Sequence, residues 1–444
     1  MQRRWKGRWN RHRLLTLFLQ LLTLSPDNLF GSPKPQMHIF HPSKRSGVLT
    51  LFVSLLLVFL GRSDANARQQ YLVLNIIPGE RHEDNFEQVR QLQTPKSTGP
   101  VRLGLAAIFS YLNESREECK ASLLNFLSLA EQYDIPVVVQ LDGEQWWDGR
   151  PDLWNWWDPA RPGYNPANRQ NVEWTGWGPD HAMKIAWRNW GEQIRVLPPP
   201  NLMSPVYRRA CSEEMRELVP LIRKWWTQLQ EDKKELFIGL KLGWESSIGV
   251  NAFYYPNGND LLDRPEHEDP RVELKAEQVP DRGVVPSGYA AVTTAGLAMQ
   301  GALQEKDLAE IVRRHLEDLC ALAAELGIPR EKLFTHVGGW KEEELLYDAA
   351  LNRYSSPGWS FYRHAGDATR DKGVEKGLRN SDAPYWAAVE WMLMGTEDRI
   401  AWKEAIMRTL SIPKCRYLCI YNWSGIRENR GAVEAIKAVL EDGQ

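Results

Sequence analysis

The chain has 444 residues, of which 43% are hydrophobic and 25% are charged, so its composition is that of a globular protein with a sizeable core. Its formal net charge of −2, with no long basic run beyond the N-terminal region, excludes a typical nucleic-acid-binding protein. The nine histidines are scattered, and no Cys/His group has zinc spacing, so the sequence implies no metal and no cofactor. The cysteines are few and odd in number, which excludes a disulfide scaffold. They are Cys119, Cys211, Cys320, Cys415 and Cys419.

Residues 1–67 contain two apolar segments, 14–24 and 48–60, each preceded by basic residues and each shorter than the roughly 20 residues of a membrane span. The second resembles the core of a signal peptide, because Lys44 and Arg45 precede it and a small-x-small sequence ends at Ala67. We therefore expect translation to start at Met37, with residues 1–36 an upstream extension, and cleavage after Ala67 to release an exported chain of residues 68–444. The alternative is an uncleaved signal anchor in the membrane.

The mature chain begins with apolar runs that predict strands at 71–77, 101–109 and 136–141, with a helix at 114–133 between the second and the third. Segment 146–190 then loses this pattern, and a loop of such length is usually functional. It carries nine tryptophans: Trp146, Trp147, Trp154, Trp156, Trp157, Trp174, Trp177, Trp187 and Trp190. An amphipathic helix is predicted at 208–230.

The next strand, predicted at 236–242, is followed directly by Gly243, Trp244 and Glu245. A second irregular segment covers 249–290, and a helix is predicted at 306–326. Strands follow at 332–337 and 358–364. Segment 385–395 fits a strand or a helix, and the number of elements favours a strand. A helix at 396–410, a strand at 416–421 and a helix at 431–440 complete the chain.

Eight predicted strands that alternate with helices over residues 68–444 indicate an α/β protein with a single catalytic domain. The predicted fold is a (β/α)8 TIM barrel with long Trp-rich loops after strands 3 and 4. An open doubly wound sheet is the alternative. However, no G-x-G-x-x-G or G-x-x-x-x-G-K-[ST] fingerprint occurs at a strand–helix turn.

Polar residues follow most of the predicted strands, and in a (β/α)8 barrel the strand ends form the active-site face. Loop tryptophans near that face can offer a broad apolar surface to a sugar ring, although about half of them can be expected to pack the loop instead. We therefore predict a carbohydrate partner. The residues predicted to bind it are Asp142, Glu144, Trp146, Trp147, Trp244, Asn251, His336, His364, Asn422 and Trp423.

With Glu245 after the fourth strand, Glu390 on the seventh and Trp423 after the eighth, the chain resembles the clan of retaining (β/α)8 glycoside hydrolases. This clan includes β-galactosidases, β-mannosidases and barrel-type cellulases. The resemblance implies that Glu245 is the acid/base, that Glu390 is the nucleophile and that Trp423 floors the sugar subsite. The clan usually has Asn directly before the acid/base, where it binds the sugar 2-hydroxyl. This chain has Trp244 there, which leaves Asn251 or His336 for that contact.

Other readings of the same residues are open. Asp142 or Glu144 could pair with Glu245, or the Asp-Gly-Glu sequence at 142–144 could be a turn that caps the third strand. His336 and His364 could orient a carboxylate, bind a hydroxyl or be structural. The whole chain could be a carbohydrate-binding barrel without a working acid pair, or a barrel hydrolase or lyase for another polar substrate. No G-x-S-x-G or H-E-x-x-H motif supports an esterase or a zinc protease.

Overall fold

Eight parallel strands close into a barrel. The computed structural model describes residues 69–93, 99–189, 193–250, 252–269, 271, 285–338 and 345–441. The barrel strands are β1 (Gln70–Ile76), β2 (Val101–Ser110), β3 (Val137–Asp142), β6 (Phe237–Ser246), β7 (Leu333–Val337), β8 (Gly358–Phe361), β9 (Trp386–Trp391) and β10 (Cys415–Ile420). They follow each other around the ring in chain order, and β1 pairs with β10 to close it. The (β/α)8 prediction is confirmed, and the open sheet is excluded.

Helices surround this ring and connect its strands. They are α1 (Glu83–Leu92), α2 (Arg116–Tyr133), α3 (Pro151–Trp154), α4 (Pro205–Gln228), α5 (Tyr289–Thr294), α6 (Glu305–Glu325), α7 (Lys372–Asn380), α8 (Arg399–Leu410), α9 (Trp423–Ile426) and α10 (Arg430–Glu441). Their starts follow the sequence: Ser115 caps α2 by accepting from the Glu118 backbone, and Ser204 caps α4, whose first residue is Pro205. The described connection from β7 to β8 holds a 3-10 helix, Leu345–Ala350.

Two layers of apolar side chains form the core. The larger one lies between the ring and the helices. The smaller one fills the barrel itself with Tyr71, Val73, Ala106, Val138, Ile238, Phe334, Ala387, Val389, Tyr417 and Cys419. The five cysteines are all buried and unbridged, which keeps their thiols from reacting. None of the helices in the described ranges combines the length and apolarity needed to cross a membrane.

Long insertions follow the third and fourth barrel strands, and they are hydrogen-bonded to each other. The first contains a hairpin that the sequence analysis missed, formed by β4 (Ala186–Asn189) and β5 (Gln193–Val196). Trp187 of this hairpin exchanges two backbone hydrogen bonds of 2.9 Å with Phe253 of the second insertion. The side chain of Asn259 adds bonds to the Lys184 N–H at 2.7 Å and to the Ala182 carbonyl at 2.9 Å. The two insertions therefore form a single hydrogen-bonded unit, which we call the cover.

The tryptophans of the first insertion divide into two groups. Trp147, Trp154, Trp174 and Trp187 are buried, and Trp146, Trp156, Trp157 and Trp177 are half-buried. Trp190 lies outside the described residues. Trp147, Trp154 and Trp174 belong to the larger core, and Trp187 belongs to a small cluster with Phe253 and Tyr255, so about half of the rings pack the protein, as expected.

The main differences from the predicted elements lie at β6 and β9. Segment 385–395 contains the strand β9, so the preference for a strand is confirmed. Strand β6 does not stop at Leu242 but continues to Ser246. Glu245 therefore lies on the strand rather than in the loop after it, and the strand fixes its backbone.

Candidate active site

The end of β6 is bent, and the bend positions Glu245. Gly243 has φ +81° and Glu245 has φ +48°, a backbone conformation that costs a non-glycine residue on the order of 1–3 kcal/mol. Pairing with β7 shifts register between Leu242 and Ser246, as in a β-bulge. A Cβ at position 243 would lie 2.4 Å from the Ser246 hydroxyl oxygen. Only glycine fits there, and the bulge places Glu245 where its carboxylate accepts from Ser360 of β8.

A path of three short contacts joins Glu245 to Glu390. The Ser360 hydroxyl donates to Oε1 of Glu245 at 3.0 Å, and Nε2 of His336 lies 2.9 Å from the same hydroxyl. Nε2 of His336 lies 3.8 Å from Oε2 of Glu390. When Glu245 is ionised and accepts the single hydroxyl proton of Ser360, Nε2 of His336 carries the proton that Ser360 accepts. Both carboxylates are only 3% exposed.

The lengths of these contacts limit the separation of the two carboxylates. Taken end to end, they are shorter than the roughly 10 Å beyond which neither a retaining nor an inverting pair can span a glycosidic bond. The separation of Glu245 and Glu390 therefore stays below that limit.

Glu390 is surrounded by groups that stabilise its anion. Burial raises the pKa of Glu390, whereas the charge of Lys241 and hydrogen bonds from the side chains of Tyr362 and Trp244 act to lower it. Burial and the neighbouring Lys241 hold the pKa of His336 well below its usual range, so the imidazole is neutral at neutral pH. A neutral His336 can donate to Ser360 without adding a charge to the site.

Asp142 and Glu144, the alternative partners proposed for Glu245, form hydrogen bonds with other groups. Asp142 accepts from the Ser110 hydroxyl at 3.1 Å and from two backbone N–H groups, those of Glu144 at 2.9 Å and Gln145 at 3.1 Å. Burial raises the pKa of Asp142 to about 6. These bonds make Asp142 the cap of the turn that ends β3.

Glu144 points toward α6 rather than toward Glu390. Its Oε1 accepts from the Ser246 hydroxyl at 2.7 Å and lies 3.1 Å from Nε2 of His315, a residue of α6. Ser246 belongs to the β6 bulge, so this network braces the segment that carries Glu245.

Arg188 of the β4–β5 hairpin connects the first insertion to the site. Its guanidinium lies 5.2 Å from the ring centre of Trp146 and donates to the Gln145 carbonyl at 2.8 Å. The Gln145 amide in turn donates to the Trp244 carbonyl at 2.6 Å. Burial lowers the pKa of Arg188 to about 10, and its charge acts on Asp142 and Glu245. The half-buried ring of Trp146 is therefore packed against the Arg188 cation at the edge of the site.

The other residues predicted to bind the sugar have partners of their own where the structure describes them. Trp147 and Trp423 are buried, and the indole N–H of Trp147 donates to the Pro198 carbonyl at 3.2 Å. Asn422 precedes α9 and accepts from the Ser424 hydroxyl at 3.0 Å. His364 lies near Asp371, the cap of α7. Asn251 is outside the described residues.

Sequence reasoning missed four residues of the site: Ser360, Tyr362, Lys241 and Arg188. Ser360 and Tyr362 alternate with apolar residues from Gly358 onward, a period of two that marks the inward face of a strand. Lys241 is the one charged residue within the apolar run 236–242, which is unusual for a buried strand. Arg188 has no such local signal.

The fold and the site together define a (β/α)8 barrel with one buried carboxylate on the fourth strand and another on the seventh. In the described ranges, no group of three or more His, Cys, Asp or Glu residues could hold a metal ion. Neither a family model nor a curated protein matches the chain.

Solved structures similar to this chain are glycoside hydrolases of family 5. One is a subfamily 18 variant from Bifidobacterium longum in complex with Manβ1-4GlcNAc, with 12% identity, a TM-score of 0.43, and coverage of 84% of this chain and 78% of that chain. A Streptomyces cattleya variant of the same subfamily has 12% identity, a TM-score of 0.41, and coverage of 84% and 80%.

A Prevotella bryantii variant in complex with a xyloglucan tetradecasaccharide has 8% identity, a TM-score of 0.39, and coverage of 83% and 95%. The (β/α)8 fold of this chain is assigned from the closed order of its own eight strands, not from these similarities.

Proposed function

We propose that this protein is an exported glycoside hydrolase that cleaves an oligo- or polysaccharide by a retaining mechanism. The observation that carries the proposal is the contact path from Glu245 through Ser360 and His336 to Glu390. This path runs between two buried carboxylates, one on the fourth and one on the seventh barrel strand, and its length supports their assignment as the acid/base and the nucleophile.

In the first step, protonated Glu245 gives its proton to the glycosidic oxygen while a carboxylate oxygen of Glu390 attacks the anomeric carbon. The bond from that carbon to the leaving oxygen breaks, and an ester bond to Glu390 forms. The donors Tyr362 and Trp244 and the charge of Lys241 support this assignment, because they favour the ionised form of Glu390 that the attack requires.

In the second step, the now ionised Glu245 takes a proton from water, and the water oxygen attacks the anomeric carbon. The ester bond breaks, so Glu390 leaves as a carboxylate and Glu245 is protonated again. Ser360 serves both steps, since its hydroxyl can donate to ionised Glu245 or accept from its protonated form.

Half-buried tryptophans are proposed to bind the sugar. Trp146 is the best placed of them, because the Arg188 cation behind it connects it to Gln145 and Trp244 at the edge of the carboxylate pair. An indole face stacks on the C–H face of a pyranose, while Arg188 keeps the ring from turning away.

The test measures hydrolysis of a panel of glycans by the wild type and by Glu245→Gln and Glu390→Gln. Each substitution should reduce kcat by at least roughly 10²–10⁴-fold. Glu434→Gln on the exposed side of α10 is the control and should leave the rate unchanged. NMR of the first product formed should show the same anomer as the substrate.

A 2-deoxy-2-fluoro glycoside of a cleaved sugar, with fluoride as the leaving group, should lose that fluoride and add its 2-fluoroglycosyl group to Glu390 as an ester, and it should add nothing at this position in Glu390→Gln. Loss of activity in Glu144→Gln together with full activity in Glu390→Gln would replace the pair by Glu144 and Glu245. Binding of glycans without hydrolysis of any would instead identify a carbohydrate-binding barrel.

Export is proposed from residues 44–67 alone. The mature protein recovered outside the cytoplasm should begin at Arg68, which N-terminal sequencing reads directly. A protein that keeps residues 48–60 and sediments with membranes would show the uncleaved anchor.

A further inference from the structure

We propose that Lys241 is a positioning residue of this site. Its buried ammonium, inside the barrel, keeps Glu390 ionised. The inference rests on the proposed function for the role of Glu390 as nucleophile. The charge relation between the two residues can be measured without any substrate.

Lys241 reaches across the barrel. It belongs to β6, and its Nζ donates to the carbonyl of Val389 on β9 at 3.2 Å. Strands β7 and β8 lie between β6 and β9 in the ring, so this side chain passes through the interior. Val389 is the residue directly before Glu390. The ammonium is thereby fixed at the backbone that carries the proposed nucleophile.

Lys241 is only 1% exposed, and an isolated ammonium at such a depth is strongly unfavourable. Burial lowers the pKa of Lys241, whereas the acidic groups around it raise it.

Titratable groups from several strands face this charge. Those that act on Lys241 are Cys419, Glu390, Glu245 and Asp142, and Lys241 acts in turn on His336. Glu390 is also faced by Tyr362 and by Tyr421, both of which stay protonated because burial raises their pKa well above its usual value. Among these groups Lys241 supplies the positive charge, since His336 is neutral.

The neighbouring amides give the ammonium a polar environment. Gln140 of β3 is paired with Lys241 in the strand register, and Asn75 projects from β1. Both are buried, and their amide atoms have no hydrogen-bond partner among the described residues. Each amide oxygen can accept from an ordered water or from the ammonium itself. Gln140, which is paired with Lys241 across the sheet, therefore gives the ammonium a polar neighbour.

The test compares the pKa of Glu390 in the wild type and in Lys241→Met. Protein labelled with 13C at the glutamate carboxyl is titrated by NMR, and the Glu390 signal is the one missing in Glu390→Gln. Removal of the ammonium should raise the pKa of Glu390 by about one or more. Lys241→Arg keeps the charge and should leave the pKa close to that of the wild type.

Lys332 provides a matched control. It is also buried and also donates from Nζ to a backbone carbonyl, that of Phe237 at 2.5 Å, but its ionic partner is Glu235 at 3.8 Å. Lys332→Met should leave the pKa of Glu390 unchanged. Equal pKa values of Glu390 in the wild type, Lys241→Met and Lys332→Met would overturn the proposal, whether or not a glycan substrate is known.

A reciprocal measurement does not depend on the folding of Lys241→Met. Because coupling between two sites is mutual, Glu390→Gln should lower the pKa of the Lys241 ammonium by the same amount. This is read from 15N-labelled lysine in the folded Glu390→Gln protein. An unchanged pKa of Lys241 there would equally refute the proposal.

If hydrolysis is observed, the acidic limb of kcat/KM should move to higher pH in Lys241→Met by the same amount as the pKa of Glu390. If Lys241→Met lowers kcat/KM but leaves the acidic limb of the pH profile at the same pH, Lys241 has only a structural role, and the inference is contradicted.

Discussion

The side chain of Trp244 donates a hydrogen bond to Glu390, although Trp244 adjoins the other carboxylate, Glu245, in the sequence. Strand β6 thus contributes both the proposed acid and a donor to the proposed nucleophile on β9. An indole N–H can only donate, whereas the Asn amide of the clan pattern can donate and accept. Trp244 therefore can hold the anion of Glu390, but it offers no acceptor to a sugar hydroxyl.

We expect Trp244→Phe to weaken catalysis while it keeps most of the packing. A hydrogen bond to a charged group contributes about 1.5–3 kcal/mol, so kcat/KM at neutral pH should fall roughly 10–100-fold. Since the lost bond favoured the ionised carboxylate, the pKa of Glu390 and the acidic limb of kcat/KM should both rise. A pH profile of the variant measures both changes.

Trp386→Phe is the matched control for this experiment. Trp386 is also buried and its indole donates to the Pro413 carbonyl at 2.9 Å, at the amino end of β9 and away from the carboxylates. It should lose stability but keep the pH profile of the wild type. A Trp244→Phe profile that coincides with that of Trp386→Phe would show that the indole only fills space.

Gly338 lies directly against Glu245, and a larger residue there should displace the carboxylate. A Cβ at position 338 would lie 2.8 Å from the Cβ of Glu245 and 3.2 Å from its Cγ. A shift of about 1 Å in a catalytic group can cost roughly 100-fold in rate. Gly338→Ala should therefore reduce kcat by about that factor, measured on the substrate identified in the glycan panel.

Gly366→Ala should be nearly silent in the same assay, because a Cβ there would meet only the Leu393 side chain, at 3.6 Å. Circular dichroism should show both alanine variants folded. Full activity in Gly338→Ala would mean that Glu245 need not stay where the bulge places it.

The buried carboxyl of Glu173 should make stability depend on pH. Glu173 is fully buried beside the backbone N–H groups that begin α5, and burial raises its pKa from 4.5 to about 8. The unfolded chain therefore releases this proton at lower pH than the folded chain does. The contribution of Glu173 to the free energy of unfolding should fall as the pH rises from about 4.5 to 8, by several kcal/mol in total.

Urea titrations at pH 5 and pH 8 measure this effect. Glu173→Gln has no carboxyl to ionise at this position. The free energy of unfolding of the variant should therefore rise relative to that of the wild type as the pH rises from 5 to 8. Glu268→Gln, an exposed site on the second insertion, should follow the wild type at both pH values. Parallel behaviour of Glu173→Gln and the wild type would show that the carboxyl ionises normally.

Most of the barrel follows from the sequence, since buried parallel strands are short apolar runs with clear ends. Segment 385–395 was ambiguous because Asp382 and Pro384 look like a helix start, while the apolar residues fit either structure. Pairing with β8 and β10 decides for a strand, and such pairing between distant residues is not visible locally.

The two carboxylates could be proposed by counting strands, but the groups that serve them could not all be found in this way. Ser360 follows the alternation of its strand, but that strand has only four residues, Gly358–Phe361, and the pattern does not say that Ser360 meets Glu245. Arg188 reaches the site through a hairpin whose partner strand and stacking ring are set by tertiary contacts. Trp244 departs from the clan pattern in the sequence, and its hydrogen bond to Glu390 is visible only in the structure.

The cover over the barrel also limits how this protein can change. The backbone N–H and carbonyl groups of Trp187 and Phe253 are hydrogen-bonded to each other. The side-chain oxygen of Asn259 in the second insertion accepts from the backbone N–H of Lys184 in the first. A new insertion at either place alone would leave buried amide groups of the other without partners. A chimera that exchanges both insertions together should therefore fold better than one that exchanges either of them alone.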